Sequence, residues 1–102
     1  MKRYNTFNNK ELNTLLLGRK GGPTSIRIID AILERPLNAY QLSKLLKLDY
    51  KTITYHVTLF CESDFLIKEK EGYGPLFYPS KKLLDNINEY EKIKKIMKKT
   101  RK

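Results

Sequence analysis

At 102 residues and 12.1 kDa the chain is expected to fold as one small domain, with a modest core and no room for a second domain or a deep substrate cleft. A formal net charge of +10 and an isoelectric point near 9.7 point to polyanionic partners. One cysteine, Cys61, and one histidine, His56, exclude a disulfide framework and a multi-ligand zinc site within one chain.

The excess charge sits at the two ends. Residues 1–22 carry five basic and one acidic side chain, residues 23–79 seven of each, and residues 80–102 nine basic and three acidic. Ends lying near a duplex would add sequence-independent attraction to phosphate; ends pointing away would be solvated lysines. No apolar run approaches the roughly 20 residues that span a bilayer, and the Met1-Lys-Arg start lacks a signal-peptide apolar core. A soluble, unexported protein of the reducing cytoplasm is expected.

Residues 1–22 read as a basic N-terminal segment, poorly ordered over 1–10, with a short helix at 11–17 carried by Leu12, Leu15 and Leu16. Gly18 and the Arg19-Lys-Gly-Gly stretch end that run. Pro23 suits a first helical turn, and Ile26, Ile29, Ile32 and Leu33 form an apolar face that stops at Arg35-Pro36. Pro36-Leu37 leaves space for a tight connection or a very short strand.

Two short helices follow with almost no slack between them. Asn38 with Gln41 three residues on reads as a capping box, and Leu42, Leu45 and Leu46 share one face of the helix it opens. Asp49 caps the next helix, spanning 49–63, in which Ile53, Val57 and Phe60 form the buried stripe while Lys51, Thr52, Thr54 and Tyr55 fall outside it. A helix showing Lys, Thr and Tyr near its N-terminal end has the chemistry of a reader of the DNA major groove.

Phe65-Leu-Ile-Lys-Glu-Lys and Pro75-Leu-Phe-Tyr-Pro read as two strands of a β-hairpin, turned at Glu71-Gly-Tyr-Gly. Ser80 then caps a helix over 80–102, with Leu83, Leu84, Ile87, Tyr90, Ile93 and Met97 recurring at steps of three and four. The expected use of this stripe is homodimerisation, in the manner of a heptad seam. Folding back on its own domain is the alternative.

The fold class is therefore mainly α with a small β-hairpin. The order of elements resembles the winged helix-turn-helix, and the wording is similar to ArsR-type transcription regulators of bacteria and archaea. The likeness covers roughly residues 23–85, with the domain proper at 23–79. Asn38-Ala-Tyr-Gln-Leu-Ser-Lys-Leu-Leu-Lys-Leu resembles the first motif helix, Tyr50-Lys-Thr-Ile-Thr-Tyr-His-Val the recognition helix, and Phe65-Leu-Ile with Gly72-Tyr-Gly-Pro-Leu-Phe-Tyr the wing.

The resemblance implies base and phosphate contacts from Tyr50, Lys51, Thr52, Thr54 and Tyr55, from Tyr40 in the preceding helix, and from Lys68, Lys70 and Tyr73 on the wing. Lys51 can donate to guanine O6 or N7, and the threonines and tyrosines can bond phosphate or meet a thymine methyl. Glu69 and Glu71, beside the wing lysines, would face phosphate unfavourably if turned inward. The family often has Gly where Lys47 and Asp64 close the two motif helices, so those turns are expected to depart slightly from its geometry. The paired cysteines or acid and histidine ligands of its metal-sensing members are missing. No metal or cofactor is expected, and no small-molecule ligand is evident from the sequence.

Three function classes follow. The first is a sequence-specific, homodimeric, nucleoid-associated regulator bound to double-stranded DNA. A second is a winged-helix protein-interaction module in a transcription or replication assembly, favoured by the neutral centre of the chain. Catalysis is disfavoured: no phosphate loop or nucleophile and base pair is recognisable, and His56 and Cys61, five residues or about 500° of helical turn apart, fall on roughly opposed faces. His56 reads as a half-buried, hydrogen-bonded side chain and Cys61 as a small packed thiol.

Overall fold

The computed structural model describes the backbone of residues 2–69 and 74–100, with side chains over 10–69 and 74–98. Among the described residues the chain is mainly helical, with six helices and a two-stranded antiparallel sheet. These are α1 (Lys2–Leu17), α2 (Gly22–Glu34), α3 (Ala39–Leu46), α4 (Tyr50–Glu62), β1 (Leu66–Lys68), β2 (Phe77–Pro79), α5 (Lys81–Asp85) and α6 (Ile87–Thr100).

α1 corrects the expectation of a poorly ordered start with a helix confined to 11–17, because the helix already begins at Lys2. Leu12 and Leu16 are fully buried, and α1 packs on α2 and α6, so tertiary burial supports a helix that its polar first half would not predict. Gly18 closes it, donating to the carbonyls of Asn13 and Thr14. The step into α2 is tight: a Cβ on Gly22 would lie 1.8 Å from the Leu16 carbonyl oxygen, which only glycine avoids.

Pro23 stands in the first turn of α2, and Ile28, Ile29 and Ile32 fill the core from that helix. Arg35, which precedes Pro36, is extended at φ −171° and ψ 155° and ends it. Leu37 forms a single bridge to Phe77, whose N–H donates to the Leu37 carbonyl at 2.9 Å. The very short strand is thus present as one residue pair, and it fastens the hairpin to the segment before α3.

The capping box of α3 is complete. Gln41 N–H donates to Asn38 Oδ1 at 2.8 Å, and Asn38 N–H donates to Gln41 Oε1 at 2.9 Å. Of the expected face, Leu42 is buried and Leu46 half-buried, while Leu45 is 54 % exposed. An eight-residue helix covers only a narrow stripe, and Leu45 lies outside it.

Lys47 and Asp64 both stand at positive φ, 58° and 64°, where glycine is usual. After α4, Asp64 N–H donates to Cys61 O and Phe65 N–H to Phe60 O, the paired bonds of a Schellman ending. The expected departure of these turns is therefore corrected: the left-handed geometry is kept, and two ordinary side chains bear it. Asp49 precedes α4 at the capping position, but its side chain makes no capping hydrogen bond, contrary to expectation.

β1 and β2 pair in antiparallel register, Leu66 opposite Pro79 and Lys68 opposite Phe77. Ser80 caps α5 as read from sequence, its Oγ accepting from Leu83 N–H. The single helix expected over 80–102 is corrected to two, broken at Asn86. There the side-chain amide donates to the Lys82 carbonyl at 2.9 Å, occupying the acceptor that an unbroken helix would give the Asn86 backbone N–H.

The stripe expected to form a dimer seam is also corrected. Leu83, Tyr90 and Ile93 are buried in the domain's own core, and Ile87 and Met97 pack against it half-buried; Leu84 is exposed. Tyr90 clamps α6 to α2 by donating to Asp30 Oδ1 at 2.8 Å, and Lys94 Nζ pairs with the same carboxylate at 3.1 Å. Burial and the Asp30 carboxylate push the Tyr90 phenol well above its ordinary pKa. No helix among the described residues is long and apolar enough to cross a membrane.

Candidate nucleic-acid interface

α4 is held from behind by Ile53, Val57 and Phe60, all buried, so its position is set by the core and its outer face is left to solvent. On that face Lys51 and Tyr55 are exposed, Thr54 is half-exposed and Thr58 is exposed; Thr52, at the margin, is half-buried. Tyr50 opens the helix and Tyr40 stands in the first turn of α3. The three tyrosines, Tyr40, Tyr50 and Tyr55, are 61, 56 and 59 % exposed.

Side chains from three elements meet in a groove beside this face. Tyr40 of α3, Tyr50, Thr54, Thr58 and Cys61 of α4, Lys68 of β1, and Gly74 and Pro75 ahead of β2 line it. Glu62 lines the groove and also borders the outer face of α4, placing a carboxylate among the basic and hydroxyl groups. Thr54 Oγ1 donates to the Lys51 carbonyl at 3.1 Å, so what it offers a ligand is a methyl group and an acceptor oxygen.

The structure brings together Tyr40, Tyr50, Thr54 and Lys68 in the groove, and Lys51 with Tyr55 on the adjoining face. Lys70 and Tyr73 lie outside the described residues. Glu69 is held on the hairpin, where its Oε1 accepts from Tyr78 Oη at 2.8 Å. Sequence reasoning missed Lys44, whose ammonium sits 5.3 Å from the Tyr40 ring centroid. Its signal was present, since positions 40 and 44 are one turn apart on a helix. It also missed Arg19, which lies 5.9 Å from the centroid of Tyr55 and has no such signal.

Ion pairs engage part of the basic surface of the C-terminal helices. Lys81, Lys82 and Lys92 pair with Asp85, Glu11 and Glu89, and Lys94 pairs with Asp30 and Glu91. Among the described residues, Arg19, Lys20, Lys44, Lys51 and Lys68 have no carboxylate in ion-pair contact. Four lysines of the C-terminal helices are therefore engaged internally, whereas the cations around α4, like Lys95 and Lys98 of α6 among the described residues, are available to an anion.

Behind Tyr55, His56 is buried and shares a 2.8 Å hydrogen bond between Nδ1 and Ser25 Oγ. Burial, and secondarily the Arg19 guanidinium, lower its pKa, which favours the neutral ring. Cys61 is half-buried on the groove wall; burial raises its pKa, opposed by Lys68 and aided by Glu62, so the protonated thiol is favoured. Among the described residues no group of three or more His, Cys, Asp or Glu side chains is arranged to hold a metal ion.

Comparison of the chain with protein-family models, with curated proteins and with solved structures gives no match.

Proposed function

We propose that the chain is a winged helix-turn-helix regulator that binds duplex DNA with α4 in the major groove. The observation that carries this reading is the outer face of α4: Tyr50, Lys51, Thr54 and Tyr55 project from a helix whose opposite stripe is wholly buried. With 13 residues the helix is about 20 Å long, and a major groove about 12 Å wide admits it. The order α2, α3, α4, hairpin supports the winged-helix assignment, with β1 and β2 as the wing. The ArsR-type likeness rests on the residues of α3, α4 and the hairpin.

Lys51 is the principal candidate for base contact, and Tyr40, Tyr50 and Lys68 are candidates for phosphate, on either side of the groove. The reading includes a homodimer on cytoplasmic, nucleoid DNA. With the stripe of α6 spent within the chain, Leu84 is the side chain of α5 that, exposed among the described residues, offers apolar surface to a second copy. A second reading, a protein-interaction module, draws on the same three exposed tyrosines, a residue type that anchors protein interfaces.

Selection from random duplexes at about 0.15 M salt tests both. An enriched palindrome with half-sites about 34 Å apart supports a dimeric regulator, and an asymmetric motif supports a monomeric one. No enrichment favours the protein-interaction module.

A further inference from the structure

The connection between α1 and α2, residues 18–21, reads in sequence as a helix breaker. In the structure it lies against α4. Gly21 approaches so closely that a Cβ there would come within 2.9 Å of His56 Cε1. The approach brings the Arg19 guanidinium 5.9 Å from the Tyr55 ring centroid, while one of its amino groups donates to the Leu15 carbonyl at 2.8 Å. Arg19 is thus held from two sides, on α1 and on the exposed ring of α4.

Its position relative to the outer face is specific. Thr54 and Thr58 of α4 border the hairpin groove; Tyr55 and His56, one or two residues round the helix, border this loop. The outer face therefore has the hairpin with Lys68 along one margin and Arg19, followed by exposed Lys20, along the other. Among the described residues neither Arg19 nor Lys20 has an ion-pair partner.

We infer that the α1–α2 loop is a second backbone clamp of the nucleic-acid interface, in which Arg19, positioned by Tyr55 and the Leu15 carbonyl, binds a DNA phosphate on the margin of α4 away from the hairpin. The inference rests on the duplex-binding reading above. A guanidinium suits the role because it donates several N–H groups in one plane, so one can serve Leu15 while others face phosphate oxygens. Such a contact is blind to sequence and adds to affinity for every duplex.

The test is the salt dependence of binding to a fluorescein-labelled duplex of mixed sequence, from about 50 to about 200 mM salt. Wild type is compared with Arg19→Ala, Arg19→Gln, Gly21→Ala and Lys51→Ala. Arg19→Gln keeps a donor for Leu15, and Gly21→Ala keeps the charge while pushing the loop off His56. Circular dichroism establishes that each variant is folded. The slope of log K against log salt is expected to shrink by about 1 in both Arg19 variants. It is also expected to shrink in folded Gly21→Ala, which a diffuse charge effect would leave unchanged. Wild-type slope in both Arg19 variants, with Lys51→Ala weakened, overturns this inference and leaves duplex binding standing. No salt-dependent duplex binding by wild type overturns the parent reading, and the clamp with it.

Discussion

Ser25 Oγ and His56 Nδ1 lie 2.8 Å apart in the interior, so one hydrogen bond joins α2 to the helix that presents the candidate interface. His56 is adjacent to Tyr55, whose ring meets it edge-on at 5.2 Å between centroids. The polar core and the exposed face thus share one turn of α4.

This bond ties stability to pH. Burial and Arg19 lower the folded-state pKa of His56, and Ser25, Tyr55 and Arg19 are the groups that face it. The unfolded chain takes up the proton near pH 6.5, before the folded chain does. The stabilising effect is therefore complete above about pH 6.5 and is lost as pH falls from there through the lower folded value. Urea midpoints measured from neutral to mildly acid pH are expected to fall more steeply in wild type than in His56→Gln. Equal slopes in the two proteins would contradict this.

The left-handed turns predict a gain from glycine. An ordinary residue at such φ costs roughly 1–2 kcal/mol, while glycine loses up to about 1 kcal/mol through unfolded-state freedom. Lys47→Gly is expected to stabilise by about 0.5–1 kcal/mol, and Asp64→Gly by less, because aspartate tolerates this region better. Equilibrium unfolding in urea reads both, and a destabilised Lys47→Gly would contradict the assigned geometry.

Burial of the C-terminal stripe within the chain predicts how its loss behaves. Ile93→Ala removes a core side chain and is expected to cost about 2–5 kcal/mol. The cost should not depend on protein concentration. A loss that disappears as concentration rises would instead place Ile93 in an interface between copies.

Glu62 borders both the hairpin groove and the outer face of α4. If phosphate approaches there, Glu62→Gln removes a repulsion. Binding to a mixed-sequence duplex is expected to tighten severalfold at low salt, with the difference shrinking as salt screens the charge. Weaker binding would argue against a phosphate path along that edge.

What the sequence determined by itself is local. The Asn38–Gln41 capping box, the Ser80 cap, the stop before Pro36 and the buried stripe of α4 each depend on residues a few positions apart, and each is found where the pattern placed it. The two strands are found too, shortened to Leu66–Lys68 and Phe77–Pro79, with residues 70–73 between them outside the described residues. Periodicity states which face of a helix is apolar, but not what covers it. Only tertiary structure decided that Leu45 is exposed, that Leu83, Tyr90 and Ile93 serve the chain's own core, and that α1 starts at Lys2. It alone placed Arg19 over Tyr55, 36 positions away, because that contact depends on how closely a glycine loop approaches α4.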